Sequence, residues 1–427
     1  MHASVTLLGK RRFLPLFVTQ FLGAFNDNLF KTALVLLVTY TIYSDPAREA
    51  AFNAVAGGLF ILPFFLFSAL AGQLADGHDK AWLIRIIKTA EIVIMISGAA
   101  GLLIHSVTLL LIALFAMGVH STFFGPIKYA ILPQHLHEQE VLGGTGLVEA
   151  GTYAAILAGT IVGGVIPAAT AAGMVITVAV LGRISGQQVP AAPPVVEDHR
   201  LDTNIIRASI ALVRHAMRIR RLYLAILAIS FFWAVGTVLA SQFPPLVKNE
   251  LHADQQVATL FLGVFSIGVA IGSVVINRLL NGAVSARYSP VSALVMSGFV
   301  VDLFLAVSAW PDHGAGLHDL RTFMHQREAV RVMIDLFGMA VAGGMFVVPL
   351  YAFLQVTVPA TETARTIAAN NIVNSAFMVL AALLAALLAM LHFSVAQILL
   401  LVTLGGMIAA WIAWRLHKAC DTPLCSE

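Results

Sequence analysis

Long apolar runs, interrupted at short intervals by glycine, proline and charge, dominate this chain. They predict twelve membrane-crossing helices. Six come first, at 13–42, 51–75, 82–104, 107–131, 145–167 and 168–182. After a polar interval six more follow, at 222–247, 256–280, 290–310, 329–357, 364–390 and 392–416. A hydrocarbon core about 30 Å thick takes roughly 20 helical residues, and only the sixth run is short. The expected fold is an all-α membrane protein of two six-helix bundles. The bundles occupy 1–182 and 222–418, with a linker at 183–221 and a tail at 419–427.

The linker has a character of its own. Pro190, Pro193 and Pro194 favour an extended chain. Arg200, Arg207, Arg214, Arg218, Arg220 and Arg221 follow, interleaved with Ile205, Ile206, Ile210, Leu212 and Val213. That pattern predicts an amphipathic helix lying on a membrane surface.

Basic residues set the orientation, because they concentrate on the cytoplasmic side. With both termini cytoplasmic, Lys10, Arg11, Arg12, Lys80, Arg85, Lys88, the linker arginines, Arg278, Arg287, Arg365, Arg415 and Lys418 all fall inside. Arg48, Lys248, Arg321, Arg327 and Arg331 fall outside, the last three at or near the 311–328 loop with Asp312, Asp319 and Glu328 to offset them. The first apolar run is too long for a signal-peptide core, so no cleavable signal is expected.

Composition narrows the function classes. Charged residues make up 11% of the 427 residues and hydrophobic ones 59%, against about 25% charged in soluble domains. A net charge of +3 is too small to suggest nucleic acid as a partner. Cys420 and Cys425 sit in the tail and form no disulfide framework. Neither a His-Glu-x-x-His nor a Gly-x-Ser-x-Gly motif occurs, and His135, His137 and Glu138 lack metal-ligand spacing. The expectation is a transporter without cofactor or metal, not an enzyme.

The candidate chemistry is charge inside apolar helices, which is costly and usually functional. The first span carries Asn26, Asp27, Asn28 and Lys31. Asp27 lies about 20 Å along the helix from Arg12 at 1.5 Å per residue, near the bilayer midplane. Asp27 and Lys31, four residues apart, can pair on one face together with Gln20 and Gly23. Such a pair either neutralises itself structurally or serves substrate or gating. The fourth span ends with Pro126, which can kink it, and Lys128, which can meet an anion or snorkel to the interface. Glu149 in the fifth span is its candidate partner. In the second half, Gln242, Asp302, Tyr351, Gln355, Asn370, Asn371 and Asn374 are the polar candidates. The asparagines either bind a headgroup or glue helices together. Gly151, Gly159, Gly163 and Gly164 in the fifth span are expected to serve helix packing.

The loop from Gly72 to Lys80 reads GQLADGHDK. It resembles the G-x-L-A-D-x-x-x-[RK] loop of the major facilitator superfamily, whose two six-helix halves the span layout also matches. There Gly72 allows close helix approach, and Asp76 is expected to cap the next helix and pair with basic residues. Lys80 and Arg365 are the further gating candidates. The counterpart at Gly272 to Arg287 keeps Gly272 and Arg278 but lacks the aspartate.

More specific strings follow. RFLPLFVTQFLGAFNDNLFKTAL at 12–34, FFGPIKYAILP at 123–133, GLVEAGT at 146–152, QFP at 242–244, VPLYAFLQ at 348–355 and ANNIVN at 369–374 resemble bacterial lysophospholipid transporters and the transporter domain fused to acyltransferases. The resemblance covers essentially the whole membrane region. It departs at Gly125, where a slightly larger residue is expected, and in the 311–328 loop. It implies movement of lysophospholipids, such as lysophosphatidylethanolamine, from the outer to the inner leaflet of a bacterial inner membrane. It also implies re-acylation by a cytoplasmic acyltransferase/acyl-carrier-protein synthetase, expected as a separate chain. Asp27 would meet an ammonium, and Lys31 or Lys128 a phosphate. The residues alone leave open a proton-coupled exporter of drugs or amphipathic metabolites, with Asp27 or Glu149 titrating.

Overall fold

The structure is a computed structural model and describes residues 6–42, 46–194, 201–202, 204–310, 317–391 and 393–421. Arg200, Asp312 and Cys425 lie outside them. Thirteen long helices account for the twelve spans and the linker helix. They are α1 (Leu14–Leu37), α2 (Pro46–Gly77), α3 (Lys80–Leu103), α4 (Val107–Ala130), α5 (Glu138–Val165), α6 (Ala168–Gln187), α7 (Ile205–Arg218), α8 (Arg220–Pro245), α9 (Gln255–Leu279), α10 (Ser289–Ser308), α11 (Arg327–Val356), α12 (Thr363–Met390) and α13 (Val395–Asp421). Among the described residues, 11 helices meet the length and hydropathy of a membrane span. Of the twelve expected spans, the one outside that set is α1, which carries Gln20, Asn26, Asp27, Asn28 and Lys31.

Local chemistry sets the ends. Asp79, Ser106 and Asp254 accept backbone N–H bonds at the starts of α3, α4 and α9, satisfying donors that a first helical turn leaves free. Several boundaries depart from the expected spans, among them the second, which starts at Pro46 and not 51. The fifth helix starts at Glu138, not 145, because Glu140 accepts the His137 N–H at 3.0 Å and is paired with Lys10 and Arg12. The sixth runs on to Gln187, so 183–187 is helix and not linker. The last helix starts at Val395 and takes in the beginning of the expected tail.

Two compact units form, one from Met1–Ala216 with Leu354–Ile372, the other from Met217–Phe353 with Val373–Glu427. In the first unit α1 packs on α5 and α6, α2 on α4, and α3 on α6 and α4. Leu29, Phe30, Leu34, Met95, Leu110, Met117 and Val175 fill its core. In the second, α13 packs on α8 and α10, over a core that includes Phe243, Phe261, Phe323, Val300, Leu336 and Leu399. Large apolar side chains such as Val93, Ile96, Ile112, Leu380, Leu383 and Leu387 stay exposed, as the lipid-facing surface of a membrane bundle requires.

The linker ends in the expected amphipathic helix. Before it, Asp79 accepts the Ala192 N–H, and the Lys80 N–H donates to Ala192 O, both at 3.0 Å, which fastens the proline-rich stretch to the start of α3. α7 turns Ala208, Leu212 and Val213 toward Ala69 of α2. It leaves Ile206 and Ile210 exposed among its arginines. Its entry is held by Arg207 and Asp202, whose guanidinium contact keeps the Asp202 carboxyl below its ordinary range.

Candidate functional site

In the first unit, Asp27 of α1 faces α4. Its Oδ2 accepts from the Ser121 hydroxyl at 2.6 Å, while Oδ1 is buried with no hydrogen bond among the described residues. Lys31, one turn on, is exposed and lies 5.5 Å from the centre of the Phe60 ring of α2. The expected Asp27–Lys31 pair is therefore not formed: a hydroxyl and an aromatic face from neighbouring helices take its place. Lys128 of α4 is half-buried, with its ammonium 4.7 Å from the Tyr129 ring centre. Glu149, the candidate partner, accepts from the Tyr129 hydroxyl, and its charge acts on Lys128 without a salt bridge among the described residues. Asp27 thus keeps an unused acceptor, and both lysines rest on rings, a weak hold compared with an ion pair. These groups have the charges that a zwitterion with a phosphate and an ammonium would meet.

The neighbours of Asp27 do other work. Asn28 bonds back to Ala24 O at 2.8 Å. Asn26 is fully buried and donates to Glu91 Oε1 at 3.0 Å and Val175 O at 3.1 Å, so it joins helices and does not share a face with Asp27. Gln20 and Gly23 also turn inward, Gln20 onto Thr152 and Val148, Gly23 onto the Lys88 ammonium.

The segment Leu354–Ile372 belongs to the same unit. Gln355 and Thr145 exchange hydrogen bonds at 3.0 and 3.3 Å. Asn371 lies beside Gly125, where an added Cβ would approach its amide to 3.3 Å. Asn370 is fully buried, with both amide atoms unpartnered among the described residues. Asp76 is also fully buried. It accepts the Ala364 and Arg365 N–H groups at 3.1 Å and Arg365 Nε at 3.0 Å. Its carboxylate therefore caps α12, where negative charge is favoured. The expected cap on the next helix, α3, comes instead from Asp79. Gly72 completes the junction: an added Cβ would stand 2.7 Å from that of Ala368. Lys80 is buried, its ammonium without a hydrogen bond among the described residues.

In the second unit, Trp233 donates to the Tyr351 hydroxyl and Ser230 to Asn374 Oδ1, both at 2.7 Å. Gln242 donates to its neighbour Ser241. Asp302 departs from expectation. Arg331 of α11 grips it with two hydrogen bonds, and both side chains are more than two-fifths exposed. That is an exposed ion pair between α10 and α11.

Residues 16–382 match the sequence pattern of the Major Facilitator Superfamily. The chain belongs to the major facilitator superfamily. As a chain of that superfamily it is a multi-pass membrane transporter. It is 26% identical over 358 residues to the lysophospholipid transporter LplT of Serratia proteamaculans, covering 81% of this chain and 80% of that one. It is 25% identical over 360 residues to the protein of the same name from Salmonella newport, covering 82% and 81%. Its fold is also that of the Escherichia coli fucose:proton symporter (TM-score 0.69, 12% identity, 95% of this chain and 98% of that one). The human organic anion transporter MFSD10 superposes with a TM-score of 0.76 at 12% identity, over 94% and 99%.

Within this superfamily chain, the structure joins residues that sequence spacing kept apart. Ser121, Thr145, Ser230 and Trp233 enter as partners of predicted groups, and nothing in their own surroundings marks them. Lys88 is a different case. Expected among the basic residues of the cytoplasmic side, it is fully buried, 2.7 Å from Glu91. Two opposite charges three residues apart inside an apolar run were the available signal.

Proposed function

We propose that this chain moves lysophospholipids from the outer to the inner leaflet of a bacterial inner membrane by alternating access, both termini cytoplasmic. The observation that carries the reading is the face of α1 and α4: Asp27 with an open carboxylate oxygen, and Lys31 and Lys128 resting on the Phe60 and Tyr129 rings. A phosphate takes a lysine and an ammonium takes Asp27 through charge-assisted hydrogen bonds. The named function of the Serratia and Salmonella relatives supports the same cargo class. Re-acylation then falls to a separate acyltransferase. The polar residues Gln355, Asn370 and Asn371 of the same unit are further contacts for the headgroup.

The test is reconstitution in liposomes with a lysophosphatidylethanolamine bearing a quenchable fluorophore. Protein-containing vesicles are expected to shift the label between leaflets much faster than empty ones. A rate equal to that of empty vesicles rejects the reading. An organic cation moved at the expense of a proton gradient, with lysolipid ignored, favours the exporter.

A further inference from the structure

Away from the α1–α4 face, the edge of the α3–α6 contact carries two cations without an anion. The start of α3 lies against the end of α6: an added Cβ at Gly186 would stand 3.3 Å from the Ile84 side chain. Beside that contact, Arg183 Nε donates to the Thr89 hydroxyl at 2.7 Å, and the hydroxyl donates to Arg85 O at 2.8 Å. Thr89 thus ties Arg183 to the turn of α3 that begins with Arg85. Both arginines are half-buried. Arg85 Nε and Arg183 Nη1 are buried without a hydrogen bond, and neither guanidinium has a salt bridge, among the described residues. The carboxylates at either end of this stretch are committed elsewhere. Asp79 accepts the Trp82 and Ala192 N–H groups, and Glu91 accepts from Lys88 and Asn26.

The surroundings are those of a lipid contact. Trp82, Ile86 and Val93 on α3, with Leu181 and Ile184 on α6, are large apolar side chains left exposed. Lys80 to Arg85 and Arg183 to Gln187 each span about 6–8 Å of helix at 1.5 Å per residue. A bilayer adds roughly 5–8 Å of headgroup layer on each side of its core, so both arginines stand at the level of the phosphates. Trp82 marks the same level, where amphipathic rings collect. An arginine that merely snorkels extends its whole fork to water. Here Thr89 holds Arg183 back, and the Nε of Arg85 is covered.

We propose that Arg85 and Arg183 form a binding site for the phosphate of an anionic phospholipid of the cytoplasmic leaflet, a resident lipid and not cargo. The phosphate supplies the charge that the guanidiniums lack, through charge-assisted bonds to their forks. Its acyl chains lie along Ile86, Val93 and Ile184. A zwitterionic lipid brings an ammonium that the two arginines repel, so net negative charge is preferred. Basic pockets between helices on the cytoplasmic side suit such headgroups. Only the choice of leaflet rests on the orientation proposed above, and the site shares no residue with the cargo face.

Trp82 precedes Arg85 by one turn and reports on the site. The protein is reconstituted in phosphatidylcholine vesicles containing a growing fraction of brominated phosphatidylglycerol, with brominated phosphatidylcholine as the parallel series. Bromine quenches tryptophan on contact, and the difference between wild type and Trp82→Phe isolates the Trp82 signal. Phosphatidylglycerol is expected to be preferred at Trp82 about 25-fold, about fivefold for each arginine. Arg85→Gln/Arg183→Gln is expected to bring the two lipids to parity. Arg278→Gln/Arg287→Gln, which removes two basic residues of the second unit, is expected to keep the preference. Parity in the wild type overturns the site, and so does a preference that survives in the Arg85/Arg183 variant. An equal loss in the Arg278/Arg287 control overturns it too, because general surface charge would then account for the effect. If the double variant fails to insert, Arg85→Gln alone gives up no hydrogen bond among the described residues. It is expected to lose about fivefold, and no loss overturns the proposal. Each of these failures leaves the cargo reading standing, since lysolipid exchange tests that separately.

Discussion

Asp27 and Asp76 carry the same carboxylate into opposite circumstances. Asp76 spends both oxygens on the backbone N–H groups of Ala364 and Arg365 and on the Arg365 guanidinium. Asp27 spends one oxygen on Ser121 and keeps the other. The first is a structural clamp, and the second retains capacity for a ligand. A hydrogen bond to a charged group contributes about 1.5–3 kcal/mol. Asp76→Asn is therefore expected to lower the thermal midpoint measurably in detergent, with a larger fall for Asp76→Ala. An unchanged midpoint in both would show that the clamp contributes nothing. Both aspartates were legible as charge in or beside apolar runs. Their partners were not. Helical spacing put Lys31 next to Asp27, but Ser121 and Phe60 come from other helices, and no periodicity within α1 reports them. The burial of Lys88 was not legible for a related reason: counting basic residues gives a side of the membrane but no partner, and Glu91 lies 2.7 Å from its ammonium.

At the scale of helices, the glycines of α5 show how small residues set a contact. An added Cβ at Gly163 would lie 2.7 Å from Leu29 O and 3.0 Å from Thr32 Cβ, while one at Gly164 would meet nothing within 4 Å. Backbone has little room to yield there. Gly163→Ala is accordingly expected to destabilise the protein by pushing α5 from α1, and Gly164→Ala to leave the thermal midpoint within error. Equal effects would contradict close α1–α5 packing. That Gly151, Gly159 and Gly163 serve packing was readable from their spacing, whereas Gly164, expected to do the same, faces open space. The start of α5 was not readable. Glu138, Gln139 and Glu140 look like a polar loop, yet acidic groups suit the first turn of a helix, and Lys10 and Arg12 anchor Glu140 there. The linker helix was legible because its apolar and basic positions alternate at helical period.

For the molecule as a whole, twelve spans, a basic linker and the Gly72–Lys80 loop identified the superfamily before any coordinates, because hydropathy and loop charge act over long stretches. The polar face was only half legible, since it is built from residues in several helices whose mutual positions no single span reveals. The account's central claim is that Asp27 carries cargo chemistry and does not serve the fold. Its most direct test compares leaflet exchange of fluorescent lysophosphatidylethanolamine by wild type and Asp27→Ala in liposomes, at matched protein content. The account predicts that Asp27→Ala inserts and melts like the wild type yet exchanges lipid no faster than empty vesicles; wild-type exchange by that variant would contradict it.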